Sequence, residues 1–118
     1  MLTVENLNEN KVLTITATGK LTKGDYTSML PELVSLLKNH GLIRFYIKLE
    51  DFQGFEVEAL WEDIKFDYEH QRQYGKTAIV GSKKWEELGT KFSSLFFGAE
   101  MKFFYKEQAN DAWDWVNS

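Results

Sequence analysis

The chain switches repeatedly between apolar residues spaced two apart and apolar residues spaced three to four apart, and these switches divide it into elements. The clearest unit runs from Leu42 to Asp63. Ile43, Phe45, Ile47 and Leu49 alternate with Leu42, Arg44, Tyr46 and Lys48, which is the pattern of a strand with one buried and one polar face. Glu50 to Gly54 reads as an acidic turn. Val57, Leu60, Trp61, Ile64 and Tyr68 then recur at helical spacing, so a helix is expected from about Glu56 until Gly75 stops it.

The remaining stretches repeat that unit. Leu2–Leu7 and Val12–Thr18, separated by the turn-prone Asn8-Glu9-Asn10, predict an N-terminal β-hairpin ended by Gly19. Thr22 and Asp25 have the spacing of a capping box, and the helix they open carries Tyr26, Met29, Leu30, Leu33, Leu36 and Leu37 on one face as far as His40. Pro31 falls inside that pattern and should kink the helix or start its second half. Gly41 is the stop. Thr77–Val80 predicts a short central strand, and Ser82 is placed to cap a helix over Lys84–Phe97 with Trp85, Leu88, Phe92, Leu95 and Phe96 on its stripe. Met101–Lys106 predicts the last strand. A final helix from about Glu107 carries Ala109, Ala112, Trp113 and Val116 on one face.

A β-hairpin followed by α-β-α-β-α-β-α means βαβ units, and hence an α/β fold with a mainly parallel sheet. Three strands alternate apolar and polar residues, whereas a parallel sheet covered on both faces would show continuous apolar runs. The helices are therefore expected mostly on one face, in a β/α superhelix with strands in sequence order, forming one domain over residues 1–118.

Composition narrows the chemistry. The 118 residues carry 14 basic and 18 acidic side chains, a net charge of −4 with no basic run, which excludes nucleic acid as the main partner. With no cysteine, disulfides, thiolate zinc sites and cysteine nucleophiles are excluded. The first residues lack the charged and apolar regions of a signal peptide, and no apolar run approaches the roughly 20 residues that span a bilayer, so a cytoplasmic location is expected. The aromatic share, 15% with 4 Trp and 9 Phe, is the distinctive feature.

The ordered series of motifs resembles the SpoIIAA-like family, which is related to the sulfate-transporter and anti-sigma-factor-antagonist (STAS) domains. The series comprises the Gly19-Lys20-Leu21 step into a Leu-rich helix, Ala59-Leu60-Trp61-Glu62-Asp63, Ala78-Ile79-Val80-Gly81 followed by Lys84-Trp85, and the closing Ala112-Trp113. The resemblance covers nearly the whole chain and implies the β/α superhelix reached above. Lipid-carrying CRAL-TRIO domains are likened to the same fold. The antagonists carry a phosphorylatable serine just after the loop that follows the third strand. Here Glu50 to Glu58 contains neither Ser nor Thr, so that switch is not carried over. Glu50, Asp51, Glu56 and Glu58 would also repel a phosphate at the following helix N-terminus.

Candidate chemistry is sparse. Asp63, Asp67 and His70 share a helix face but read best as a solvated polar surface rather than a metal site, and His40 reads as a helix C-terminal residue whose charge suits the dipole. No serine has a nucleophile-elbow context and no phosphate loop is present, so no enzyme and no cofactor are expected. The aromatics carry the functional expectation. Trp61, Trp85, Phe92 and Phe96 would wall a site between the 56–74 and 84–97 helices, with Phe66 and Phe97, off the main stripes, as its rim. The expected role is a non-enzymatic binding module for an apolar or amphipathic small molecule such as a lipid. The alternative is a STAS-like protein-interaction module in signalling that works without serine phosphorylation. Either a protein partner or a homo-oligomer interface would also cover the off-stripe aromatics.

Overall fold

The structure, a computed structural model, describes residues 1–56, 73–94 and 100–118, with only the backbone described at Leu88 and at 91–94. Its elements are β1 (Leu2–Val4), β2 (Val12–Leu21), α1 (Lys23–His40), β3 (Ile43–Phe55), β4 (Tyr74–Gly81), α2 (Lys84–Ser94), β5 (Met101–Tyr105), a 3-10 turn (Lys106–Gln108) and α3 (Ala109–Asn117). The five strands lie side by side in chain order, with β1 antiparallel to β2 and every later pair parallel. This is the mainly parallel α/β sheet with an N-terminal hairpin that the alternation of periods implied.

Register explains the two faces. Leu13, Phe45, Thr77 and Met101 form one row across β2 to β5, and Thr14, Tyr46, Ala78 and Lys102 form the next. Successive rows point to opposite faces. On the first face Leu13, Ile15, Ile43 and Phe45 pack against Leu33 and Leu37 of α1. Farther along the strands Ala17, Leu21, Leu49 and Phe52 close around Tyr26. Trp85 of α2 stacks on Phe52, so α2 reaches the same face. Two of the three described helices therefore share one face.

The opposite face is not polar throughout, and here the reading of the strands needs correction. Val12, Tyr46, Ala78 and Val80 are buried under Ala112 and Val116 of α3. Tyr46, expected on the solvated side, is only 8% exposed. Its hydroxyl donates to the Ala109 carbonyl at 3.4 Å, and burial pushes it above the usual phenol range. The small side chains of Ala109 and Ala112 leave room for that ring. Beyond α3 the face does become polar: Thr14, Thr16 and Thr18 alternate along β2, and Lys48 reaches Glu5 at 3.8 Å.

Local signals worked well at the start of α1. Thr22 Oγ1 accepts from the Asp25 amide at 3.2 Å, and the Asp25 carboxylate accepts from the Thr22 amide at 2.8 Å, the reciprocal capping box. α1 runs through Pro31 to His40 as one assigned helix. Its last carbonyls are taken by neighbours rather than by the His40 side chain: Gln73 Nε2 donates to Leu37 O at 3.2 Å and to Gly41 O at 3.1 Å, and Lys11 Nζ reaches His40 O at 3.4 Å.

Two strands are longer than their glycines suggest. β2 passes Gly19 and β3 passes the whole Glu50–Gly54 segment, so the expected acidic turn is strand. The reason is a register shift on either side of Gly19. Gly19 (φ 64°), Asp51 (φ 49°) and Gly54 (φ 99°) take left-handed backbone there, which lets β3 bulge and carry on instead of reversing.

Candidate functional site

The C-terminal ends of the parallel strands are where side chains with functional potential collect. The bulge delivers Phe52 to the interior, 4% exposed. Phe55 meets the Phe52 ring edge-on at 5.3 Å and stacks on Tyr26 of α1 at 6.3 Å. The chain is pinned just afterwards, because the Glu56 amide donates to Leu21 O at 2.8 Å. That amide is therefore unavailable to a phosphate.

Trp85 completes this aromatic tier from α2. Its ring lies 5.6 Å from that of Phe52 at an interplanar angle of 27°. Yet 46% of the residue remains exposed. The expected stripe put Trp85 inside, whereas the structure buries the next residue, Glu86, at 4% exposure. The cause is capping. Glu86 Oε1 accepts from the Ser82 and Lys83 amides, both at 2.9 Å, and so must turn inward beneath the start of its own helix. Thr90, one turn on, follows it inside and donates to Glu86 O at 2.9 Å. Ser82, the expected cap, gives its amide to this carboxylate. This phase rotates Trp85 to the boundary.

Lys83 ties the tier together. Its ammonium donates to the Phe52 carbonyl at 2.6 Å and sits 5.8 Å from the Trp85 ring centre. Gly81 makes the close packing feasible: a Cβ there would stand 2.5 Å from Glu86 Oε1 and 3.0 Å from the Phe103 ring. Around the tier Glu50, Asp51, Gln53 and Glu56 are exposed. The result is a firmly seated, half-exposed indole held on Phe52 beside Lys83, a surface suited to contact rather than to bond-making. Among the described residues no cluster of three or more His, Asp or Glu could hold a metal ion, and no helix is long and apolar enough to cross a membrane.

Of the residues expected to form a ligand site, Trp85 alone has a described side chain. Trp61, Phe66, Phe96 and Phe97 lie outside the described residues, as do Asp63, Asp67 and His70; Phe92 lies in α2 with only its backbone described. Phe52, Phe55 and Lys83 were not anticipated. The available signal was two aromatics flanking Gly54, which an ordinary solvent turn has no reason to carry. At α3 Trp113 is 40% exposed yet meets the Tyr46 ring edge-on at 5.1 Å, and Trp115 packs on Phe104 at 6.0 Å beneath Lys76 and Lys102.

A family model described as SpoIIAA-like matches residues 12–117. The fold is similar to the crystal structure of an uncharacterised DUF3478-family protein with a SpoIIAA-like fold from Shewanella loihica PV-4, with a TM-score of 0.82 and 33% identity over 98% of this chain and 92% of that one. It is also similar to the anti-sigma factor antagonist SpoIIAA in its unphosphorylated form, at TM-score 0.66 and 12% identity over 97% and 98% of the two chains. The phosphorylated form of SpoIIAA, a Bacillus cell fate determinant, gives 0.59 and 13% over 94% and 97%. Among curated proteins no relative matches the sequence.

Proposed function

Since the chain belongs to the SpoIIAA-like family, we propose that it is a single-domain, cytoplasmic protein-interaction module in signalling, non-enzymatic, and free of serine phosphorylation over Glu50 to Glu58. The observation that carries this reading is Trp85: a large ring, half exposed, held on Phe52 with the Lys83 ammonium beside it. Rigid, partly desolvated indoles of this kind dominate protein interfaces. One structural relative at low identity is an anti-sigma factor antagonist, and that likeness supports the reading by analogy of fold. Glu50 to Glu58 offers no hydroxyl to modify, so partner choice would follow surface chemistry and concentration.

The apolar-carrier reading depends on Trp61, Phe66, Phe92, Phe96 and Phe97 joining Trp85 around a cleft. The Trp85 ring instead stacks on the protein's own Phe52, which favours the interaction module. The two readings separate in one experiment. The wild-type chain and Trp85→Ser are used side by side to recover complexes from native extract, and each is titrated with oleate while tryptophan emission is followed. A stoichiometric protein partner held by wild type and lost with Trp85→Ser, at equal melting temperature, is expected. Equal recovery by both chains removes Trp85 from the interface. Saturable quenching by oleate in place of a partner would restore the carrier.

A further inference from the structure

The two edges of the sheet are unlike. β1 is three residues long. β5 is five residues long, and among the described residues no strand pairs with its outer side. Thr77 lies opposite Met101 and donates its amide to Glu100 O at 2.8 Å. In a parallel ladder this geometry turns the backbone groups of Lys102 and Phe104 toward β4 and those of Met101, Phe103 and Tyr105 outward. The Tyr105 amide conforms, reaching Gln108 Oε1 at 3.3 Å on the outer side. Lys102 would ordinarily guard such an edge, but its ammonium is folded back over the Trp115 ring at 4.9 Å.

We propose that the outer edge of β5 is the interface between two copies of this chain, paired antiparallel about a two-fold axis through Phe103. The outward amide of each Phe103 then donates to the carbonyl of the other, and each Met101 amide donates to the carbonyl of the opposite copy's Tyr105, whose own amide stays with Gln108. Just beyond the strand ends the same register brings Glu100 toward the other copy's Lys106, the first residue of the 3-10 turn, twice by symmetry, and the side chains that meet are exposed and opposite in charge. Neighbouring registers are penalised. A shift one way places Lys102 against the partner's Lys102, and a shift the other way places it against the partner's Lys106. Pairing at Phe103 uses the outward groups of Met101 and Phe103 and the Tyr105 carbonyl, leaves the Tyr105 amide with Gln108, and opposes no like charges. The result is a continuous ten-stranded sheet.

This inference is independent of the site at Trp85. It is tested by sedimentation of the full chain from about 1 μM to about 1 mM, with dimers expected to form in the micromolar to submillimolar range typical of a small interface. Glu100→Lys and Lys106→Glu should each weaken dimerisation about tenfold or more, because each turns two attractive pairs into two repulsive ones. The double reversal should restore it. On dimer formation the Met101 and Phe103 amides should gain hydrogen-exchange protection, while that of Lys102, already bonded to β4, should not. A monomer at every concentration overturns the proposal and leaves the edge to a strand from another protein. Dimers that survive both single reversals, or that the double reversal fails to restore, also overturn it by placing the contact elsewhere.

Discussion

The two ends of the sheet are finished differently. At the N-terminal ends of the parallel strands several described polar groups are tied to one another. Asn117 Oδ1 accepts from Asn8 Nδ2 at 2.8 Å and from Asn10 Nδ2 at 3.1 Å, Arg44 donates to Val116 O at 3.3 Å, and Lys76 reaches Ser118 Oγ at 2.9 Å. Ile43 lies sealed beneath, 0% exposed. At the C-terminal ends the register slips beside Gly19 and Trp85 stays half in water, while left-handed backbone outside glycine occurs at both ends, at Lys11 (φ 61°) and at Asp51 (φ 49°). One end closes the fold and the other displays side chains. The contrast teaches where to look for function in this chain, because a register shift and a half-exposed ring held on a buried one meet at that end.

The comparison breaks most severely at the closed end. Ile43→Ala removes a fully buried side chain between α1 and the sheet, and should cost about 2–5 kcal/mol in denaturant unfolding. A cost below that measured for Trp85→Ser would mean the closed end is not the anchor.

The elements behind this end were legible in the sequence because their signals are local. Ile43 and Phe45 alternate with Arg44 and Tyr46, and Leu33 and Leu37 follow helical spacing, so strand, helix and buried face could be read together. What α3 does to Tyr46 could not be read, since a residue's partner across the sheet is a tertiary fact. The site was less legible still. Helical spacing alone put Trp85 inside, while the phase of α2 was decided by the demand of two free amides for the Glu86 carboxylate. Phe52 and Phe55 were hidden by a bulge that looks like a turn in a single sequence; only the pairing of Gly19 and Lys20 with Phe52 and Gly54 shows it to be strand.

A smaller effect tests how the displaying end is anchored. The Thr22 amide, aided by its hydroxyl, holds the Asp25 carboxyl below the usual carboxylate range, against a smaller opposing effect of burial. Asp25 therefore stabilises the fold above its unfolded value, about 3.9, and that contribution is lost as pH falls through the lowered folded value. Asp25→Ala should cost about 1 kcal/mol at neutral pH, and its deficit relative to wild type should shrink in unfolding curves taken progressively below about pH 4. A deficit independent of pH would show that the charge is irrelevant to the cap.

The smallest effect has the opposite sign. Asp51 holds a left-handed φ of 49° without being glycine. Asp51→Gly should relieve that strain and raise stability by about 0.5–1 kcal/mol. A loss instead would mean that the carboxylate itself stabilises the bulge, and the displaying end would then be less strained than its backbone suggests.

The strands stand in space in the order in which they are synthesised. Each new strand finds its neighbour already formed, and each parallel pairing closes over one intervening crossover rather than several. A ribosome releasing this protein would let the sheet grow by accretion from β1, with each segment docking on a finished template. The last strand accreted is β5. Until another strand meets it, its outer side keeps the same templating capacity that received every strand before it.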